Sequence, residues 1–104
     1  MSGALPIRIA GSAAIEIREA AKWWRSNRDK APAAFREELD RAFELIATQP
    51  TIGARALDVE LPGVRRILLA RVRYHLYYRV VENPRRVEVL SVWHANRGSA
   101  PRIA

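Results

Sequence analysis

The sequence predicts an α+β fold: an N-terminal strand and an antiparallel helix hairpin that packs on a C-terminal antiparallel β-sheet. Two observations predict this class. Apolar residues recur at three- and four-residue intervals over most of residues 12–49, whereas β-branched and aromatic residues dominate residues 64–94. A length of 104 residues with 49% hydrophobic residues fits one core. We therefore expect residues 1–104 to form a single domain.

A short predicted strand leads into the first helix. Residues 5–10 place Ile7 and Ile9 on one face of a strand, and Gly11 interrupts the pattern. Ser12 is a good N-cap for the helix that follows. The apolar stripe of this helix is Ala13, Ile17, Ala20, Ala21 and Trp24. Because charged residues occupy the other side, we expect the stripe to pack in the core.

The second predicted helix begins near Pro32, which suits a first helical turn, and ends at Gln49-Pro50. Its apolar stripe is Phe35, Leu39, Ala42, Phe43 and Ile46. The short connection between the helices predicts an antiparallel hairpin. Residues 51–63 carry turn signals at Gly53 and Pro62-Gly63, and we expect them to be irregular.

Three strands are predicted at residues 64–72, 73–81 and 86–94, and residues 82–85 form the turn between the last two. Closing the hairpin at this turn places Arg79 opposite Glu88, Tyr78 opposite Val89 and Tyr74 opposite Trp93. The first predicted strand is free to join an edge of this meander. Residues 95–104, which contain Gly98 and Pro101, are expected to form a C-terminal tail.

This register predicts two different faces for the sheet. The face expected beneath the helices is apolar and carries Tyr74, Leu76, Tyr78, Val80, Val87, Val89 and Trp93. The other face is half polar and carries Arg73, His75, Tyr77, Arg79, Glu88, Leu90, Val92 and His94. We expect this second face to be only partly covered.

Basic charge is concentrated in the C-terminal part of the chain. Residues 1–63 contain nine Lys/Arg and nine Asp/Glu, whereas residues 64–104 contain nine Arg and two Glu, which accounts for the whole net charge of +7. Arginine favours a bidentate grip on phosphate or carboxylate, so such a region attracts nucleic acid or an acidic protein. A generally arginine-rich composition explains the number of arginines but not their uneven placement.

The composition excludes several kinds of site. Without cysteine there are no disulfides or thiolate zinc sites, and only His75 and His94 could supply imidazole, so we expect no metal and no cofactor. No serine lies in a triad-like setting, and the five glycines form no phosphate-binding loop. The longest strongly apolar run, residues 67–70, is too short to span a membrane, and the N-terminus shows no export signal. We expect a cytoplasmic protein.

Histidine, arginine and tyrosine on a basic sheet remain as candidates for chemistry. Such groups can cleave RNA without a metal, because one activates the 2′-hydroxyl, another protonates the leaving oxygen, and arginines stabilise the charge on phosphorus. The candidates are Arg71, Arg73, His75, Tyr77, His94 and Arg97. Structural roles stay open as well: His75 as a half-exposed strand residue, and His94 as a hydrogen-bonding residue beside Asn96.

Two segments resemble a known family. "VRRILLARVRYHLYYRVV" at residues 64–81 and "VEVLSVWHANRG" at residues 87–98 resemble the RelE/ParE superfamily of toxins from bacterial type II toxin–antitoxin pairs. The most specific parts are residues 73–80 and 92–98. Because that superfamily has the same order of elements, the resemblance implies a RelE/ParE-like fold for nearly the whole chain.

The resemblance is closer to the ParE branch. The RNA-cleaving branch typically has an arginine where this chain has His75, and often a His-Tyr pair where this chain has His94 followed by Ala95. A ParE-like chain is expected to inhibit growth by contacting DNA gyrase and to lack an RNase site. The expected contact residues are Arg71, Arg73, His75, Tyr77, Arg79, His94 and Arg97.

Two other functions stay open. In a RelE-like, ribosome-dependent mRNA endonuclease, His75 and His94 would transfer protons, and Arg71, Arg73 and Arg97 would hold phosphate. The third is a non-toxic binding module that keeps the fold. Either toxin branch implies an antitoxin partner, whose mostly acidic, disordered segment folds around the toxin in a hetero-oligomer. We expect it to contact the partly apolar sheet face and the grooves beside the helix hairpin.

Overall fold

Two helices cover one face of a five-stranded sheet in the computed structural model, which describes residues 3–104. In chain order the elements are β1 (Ile7–Ile9), α1 (Gly11–Asn27), α2 (Ala34–Thr48), β2 (Ala54–Arg55), β3 (Arg65–Leu69), β4 (Tyr74–Val81) and β5 (Arg86–His94). The strand order is β1-β5-β4-β3-β2, and only β1 and β5 are parallel. The predicted fold class is confirmed. Neither helix in residues 3–104 is long and apolar enough to cross a bilayer.

β1 passes directly into α1. Its parallel pairing with β5 continues as a hydrogen bond of 2.9 Å from the Ala10 N–H to the Val89 carbonyl, which keeps Ala10 extended (φ −62°, ψ 150°). The helix therefore begins at Gly11, with Ala10 as its N-cap. The prediction of Ser12 as the N-cap is wrong, because strand pairing decides where the extended backbone ends and Ser12 already lies within the first turn.

The main core lies between the helices and the sheet, and both predicted helical stripes contribute to it. Its buried members include Ala13, Ile17, Ala20, Ala21, Phe35, Leu39, Ala42, Ile46, Leu76, Tyr78, Val87 and Val89. Burying each large aliphatic or aromatic side chain stabilises the fold by about 1.5–3 kcal/mol. Trp24 is only partly buried, and its Nε1–H donates to the Ala31 carbonyl at 2.7 Å, which fixes the connection between the helices.

The β4–β5 hairpin follows the predicted register only near its turn. Arg79 pairs with Glu88 and Tyr78 with Val89, as predicted, but the register shifts between Tyr77 and Tyr78. Tyr77 pairs with Ser91, which leaves Leu90 as the extra residue of a β-bulge. Beyond the bulge, the predicted pairing and the predicted faces of the last β5 residues are wrong.

The bulge exchanges the faces of the last residues of β5. Tyr74 pairs with His94, not with Trp93. Val92 packs in the main core, whereas Trp93 packs on the other side of the sheet, because a shift of one residue turns each following side chain to the opposite face. The Glu16 carboxylate of α1 accepts hydrogen bonds from the Ser91 hydroxyl (2.9 Å) and the Val92 N–H (3.0 Å) and so holds the bulge against α1.

A second, smaller core covers the outer face of the sheet, the face opposite the helices. Tyr77, Ala56 and Val64 are buried there, and Val59, Leu61, Leu90, Trp93 and Ile103 pack around them. Residues 51–63, predicted to be irregular, contribute β2 and much of this cluster. The half-polar face is therefore covered more extensively than the sequence predicts.

Residues 95–104 lie against this second core. The Trp93 Nε1–H donates to the Ser99 carbonyl at 2.7 Å, and Pro101 is buried. The carbonyl of Ile103 accepts hydrogen bonds of 3.1 Å from the N–H groups of Glu60 and Leu61. The predicted tail thus folds back along the segment between β2 and β3.

Candidate functional site

Two turns meet at one end of the β4–β5 hairpin. Residues 70–73 join β3 to β4, and residues 95–98 follow β5. The Ala95 N–H donates to the Arg73 carbonyl at 2.8 Å, so the two turns are adjacent. We call these two turns the open end of the hairpin, and residues 82–85, where β4 turns into β5, its turn end. The open end brings together Arg71, Arg73 and Arg97.

α2 holds the first of these turns in place. The Glu38 carboxylate accepts hydrogen bonds from the N–H groups of Arg71 (3.2 Å) and Val72 (3.1 Å). Arg71 also extends toward Glu37, with 3.6 Å between Nη1 and Oε1. Both side chains of that pair are about half exposed, and such pairs contribute little to stability. The backbone of this turn is therefore anchored more firmly than its arginine side chains.

Arg73 has an unusual backbone conformation. Its φ is +64°, and its N–H donates to the Leu69 carbonyl at 2.7 Å. Within residues 3–104, the Arg73 side chain has no ion pair and no hydrogen bond. Its guanidinium is consequently available to another molecule.

The turn after β5 places Arg97 on an aromatic ring. The guanidinium carbon of Arg97 lies 3.9 Å from the centroid of the Trp93 ring, a cation–π geometry. His94 accepts a 3.1 Å hydrogen bond at Nδ1 from the Asn96 N–H, and its ring meets Tyr74 edge-on at 5.0 Å. Burial raises the pKa of Tyr74, and the charge of Arg97 partly opposes this.

His75 lies on the outer face beside a polar cluster. The Tyr77 hydroxyl donates to Asp58 Oδ2 at 2.9 Å, and Arg66 Nη1 is 3.1 Å from the same oxygen. Burial lowers the pKa of His75, the charges of Arg66 and Arg73 lower it further, and Asp58 opposes them. Burial also raises the pKa of Tyr77. These effects together favour the neutral form of His75.

Two surface clefts border the open end. One, of ≈ 220 Å³, lies on the outer face between the His75 cluster and residues 95–100. The other, of ≈ 310 Å³, lies beside α1 and is lined by Glu16, Glu19, Trp23 and Tyr74 among others. His94 and Arg97 border both clefts. The two imidazoles nevertheless pack differently: His75 contacts Tyr77 on the outer face, and His94 contacts Tyr74, which packs against the main core.

The structure separates the predicted contact residues into two groups. Arg71, Arg73, His75, His94 and Arg97 lie at or beside the open end. Tyr77 is 1% exposed and belongs to the second core, so it has no surface to offer a partner. Arg79 lies farther along β4, where its Nε contacts Glu88 Oε1 at 2.8 Å. No three His, Asp or Glu side chains within residues 3–104 converge to hold a metal ion.

Sequence reasoning missed Asp58 and Arg66. Arg66 pairs with Tyr77 across β3 and β4, so the alternation of β3 could have placed it on the outer face. Asp58 gave no such signal, because it lies in a segment without a regular period. Its position depends on the packing of the second core.

Grooves beside the helix hairpin were predicted, but the basic rim of one of them was missed. Two adjoining surface cavities of ≈ 490 and ≈ 380 Å³ share Ala21, Arg25 and Arg36, and Phe35 contributes to the floor of the smaller. Arg18 and Lys22 add to the basic rim, which also includes one acidic residue, Glu19. None of these four cations forms an ion pair within residues 3–104. The spacing 18, 22, 25 predicts one helix face, but the summed charge of zero for residues 1–63 conceals it.

Solved structures with this fold include toxins and toxin–antitoxin complexes. A chain of the chromosomal ParDE TA system from P. aeruginosa has a TM-score of 0.70 at 18% identity, covering 91% of this chain and 100% of that one. The isolated E. coli RelE toxin has a TM-score of 0.63 at 27% identity, covering 91% and 88%. The intact E. coli RelBE toxin-antitoxin complex contains a chain with a TM-score of 0.63 at 28% identity, covering 90% and 100%. No curated protein matches the sequence.

One family model matches most of the chain. It is described as "ParE toxin of type II toxin-antitoxin system, parDE", and the match spans residues 7–98. These residues include β1, both helices and the whole sheet. The predicted membership of the RelE/ParE superfamily, closer to ParE, is confirmed. The chain belongs to the ParE toxin family of type II toxin–antitoxin systems.

Proposed function

We propose that the chain is a ParE-like toxin that inhibits DNA gyrase by binding it and that a cognate antitoxin neutralises it. Membership of the ParE family supports the toxin assignment. One observation carries the choice of a protein contact over RNA cleavage: the family model that matches residues 7–98 is that of the ParE toxin. In addition, Nδ1 of His94 already accepts a backbone hydrogen bond. Both histidines border the cleft of ≈ 220 Å³, but this hydrogen bond leaves only Nε2 of His94 to exchange a proton with a substrate there.

The proposed target surface is the open end. Arg73 and Arg97 supply cations, Arg71 is loosely held by Glu37, and the two histidines flank them. Arginine and aromatic side chains are enriched among the residues that dominate protein interfaces. Tyr77 and Arg79 are left out of this proposed surface because one is buried and the other is paired.

The proposed antitoxin site is the basic groove of the helix hairpin. An acidic amphipathic segment would place carboxylates on Arg18, Lys22, Arg25 and Arg36 and cover the floor near Phe35 with apolar side chains. Support comes from the E. coli relative whose structure is a toxin–antitoxin complex. The proposed complex of toxin and antitoxin is a hetero-oligomer in the cytoplasm.

Two assays with the purified protein test the target. Gyrase supercoiling and cleavage of mRNA on programmed ribosomes are measured side by side over the same concentrations. We expect loss of supercoiling and intact mRNA. Cut mRNA with unaffected gyrase would contradict the proposal, and an induced chain that leaves both activities and bacterial growth unchanged would indicate the non-toxic binding module.

A RelE-like endonuclease is the second candidate, and the environment of His75 favours it. A neutral imidazole beside the Arg66 guanidinium, at a cleft of ≈ 220 Å³, could accept a proton from a 2′-hydroxyl. The variant His75→Ala/His94→Ala separates the candidates. A nuclease should lose about a hundredfold or more of its activity, since general acid–base groups contribute about 10²–10⁴-fold. A gyrase inhibitor should keep its growth arrest to within about tenfold, the value of one modest contact.

A further inference from the structure

Two non-glycine residues of the described chain have positive φ, and only one is of a type that suits it. Asn83 has φ +61° in the turn between β4 and β5, and asparagine tolerates this left-handed region. Arg73 has φ +64° in the turn before β4. Arginine has no local hydrogen bond to offset the clash of its Cβ there, and glycine is the residue that fits best.

The fold does not account for an arginine at this position. The turn is fixed through backbone groups, since the Arg73 N–H binds the Leu69 carbonyl and the Arg73 carbonyl binds the Ala95 N–H. Any residue except proline, glycine included, could form both hydrogen bonds. The Arg73 side chain itself contributes no ion pair or hydrogen bond within the described residues.

Most of the other C-terminal arginines have a partner. Those with an ion pair, a hydrogen bond to a carbonyl or an aromatic ring are Arg65, Arg66, Arg71, Arg79, Arg85, Arg86 and Arg97. Of the arginines in residues 64–104, only Arg73 and Arg102 lack such a partner among the described residues. Arg73 thus combines an unfavourable backbone with an unused side chain. Strained residues that persist in this way cluster at functional sites.

We propose that Arg73 is kept at this glycine-favouring position because its guanidinium, with Arg97 beside it, binds a carboxylate-bearing surface of a protein target. This inference rests on the proposed function, since it names the contact through which the target is recognised. Arg97 lies on Trp93 in the adjacent turn, so the surface offers two cations and an aromatic ring. Two arginines can hold carboxylates in bidentate fashion.

A protein target fits this surface better than a nucleic acid. Proteins that grip nucleic acid through its backbone commonly make about 6–10 phosphate contacts. The open end offers Arg73 and Arg97, and Arg71 is partly neutralised by Glu37. Leu68 is 41% exposed and pairs with His75 on the neighbouring strand, so apolar surface adjoins the cations.

The test compares Arg73→Gly with Arg73→Lys and with Arg102→Ala, which removes one unpaired positive charge elsewhere. Each purified full-length variant is melted to obtain Tm. Each is also assayed for binding to purified gyrase and, after graded induction, for growth arrest. For Arg73→Gly we expect a Tm no lower than that of the wild type, with at least tenfold weaker gyrase binding and growth arrest. Gyrase binding and growth arrest by Arg73→Lys should fall between those of the wild type and Arg73→Gly, and those of Arg102→Ala should match the wild type.

Three results would overturn the inference. Growth arrest and gyrase binding of wild-type strength in Arg73→Gly would show that the Arg73 guanidinium makes no contact that the activity needs. A Tm of this variant below that of the wild type would assign Arg73 a structural role. Binding of single- or double-stranded nucleic acid by the wild type, lost in Arg73→Gly, would replace the protein target with a nucleic acid. If the wild type arrests growth without binding gyrase, the proposed target fails, whereas the growth assay still decides whether Arg73 makes the contact.

Discussion

The two ends of the β4–β5 hairpin carry the same types of charged residue but differ in how the charges are balanced. At and near the turn end, Arg79 contacts Glu88 at 2.8 Å, and Arg85 lies 3.6 Å from Glu82. Both of these arginines have an acidic neighbour on the same hairpin, and Arg86 donates to the Pro84 carbonyl at 2.9 Å. This end therefore presents little net charge to another molecule.

At the open end, Arg71 has Glu37 of α2 at 3.6 Å, but the other two arginines have no such neighbour among the described residues. Arg73 has no ion pair among the described residues, and Arg97 lies on the ring of Trp93, which leaves its charge uncompensated. The number of arginines therefore does not identify a binding surface. What identifies it is the absence of a carboxylate within the fold, because only an unpaired guanidinium can form a new ion pair without first breaking one.

The largest expected effect comes from removing both open-end cations. Arg73→Gly/Arg97→Ala should weaken growth arrest and gyrase binding by about a hundredfold, since each interface arginine contributes about tenfold or more. The matched turn-end variant Arg85→Ala/Arg86→Ala should stay within about threefold of the wild type. The inducer concentration that halves growth measures both. Equal losses in the two variants would show that overall charge, and not the open end, determines activity.

A smaller effect is expected from loosening the backbone of the open end. Glu38→Ala removes two charge-assisted hydrogen bonds, to the N–H groups of Arg71 and Val72, and should lower the free energy of unfolding by about 2 kcal/mol. Glu37→Ala removes only a half-exposed ion pair and should cost less than about 0.5 kcal/mol. Urea denaturation measures both. Similar values for the two neighbours would contradict the anchoring role of Glu38.

The ion pair near the turn end should make a measurable but modest contribution to stability. Arg79 and Glu88 are 34% and 20% exposed, so a double-mutant cycle with Arg79→Met and Glu88→Gln should give a coupling energy of about 1 kcal/mol. Growth arrest should persist in the double variant, since this pair lies outside the proposed target surface. A coupling energy near zero would mean that Glu88 does not neutralise Arg79. The two ends of the hairpin would then not differ in how their charges are balanced.

The smallest effect concerns pH. Burial, then Arg66 and Arg73, lower the folded-state pKa of His75 below its unfolded value of about 6.5, and Asp58 opposes them. The unfolded chain then binds more protons in this range, so stability is present above about pH 6.5 and declines as the pH falls through it. Urea unfolding from pH 7.5 to pH 5 should show this decline, and His75→Gln should flatten it. An unchanged slope in His75→Gln would assign the pH dependence to other groups.

Sequence reasoning succeeded where local rules decide the outcome. The helical stripes around Ile17 and Leu39 and the pairing of Arg79 with Glu88 follow from periodicity and from the adjacent turn. It failed for Trp93, because the bulge in β5 is stabilised by Glu16, which is 76 residues away from Val92 in the chain. The sequence of β5 gives no indication that a carboxylate of α1 binds its backbone.

The candidate site divides in the same way. The open-end arginines and histidines were predictable because they lie on two adjacent strands and their connecting turns. Asp58 was not, since the segment that carries it takes its place only when the second core forms. The basic groove needs two helices at once, and Arg25 and Arg36 meet there only after the hairpin folds.

The class of fold, the concentration of arginine after residue 63 and the resemblance to the RelE/ParE toxins follow from the amino-acid sequence alone. Tertiary structure alone decided which of those arginines remain unpaired. Hairpin pairing brings Glu88 to Arg79 from nine residues away, whereas Glu37 reaches Arg71 only because α2 packs beside the turn after β3. Asp58 is only eight residues from Arg66, but it reaches Arg66 only when its irregular segment packs on the outer face of the sheet. A charge is neutralised by what lies near it in space, and for most of this chain that is set by the long-range packing of helices, loop and C-terminal segment on the sheet.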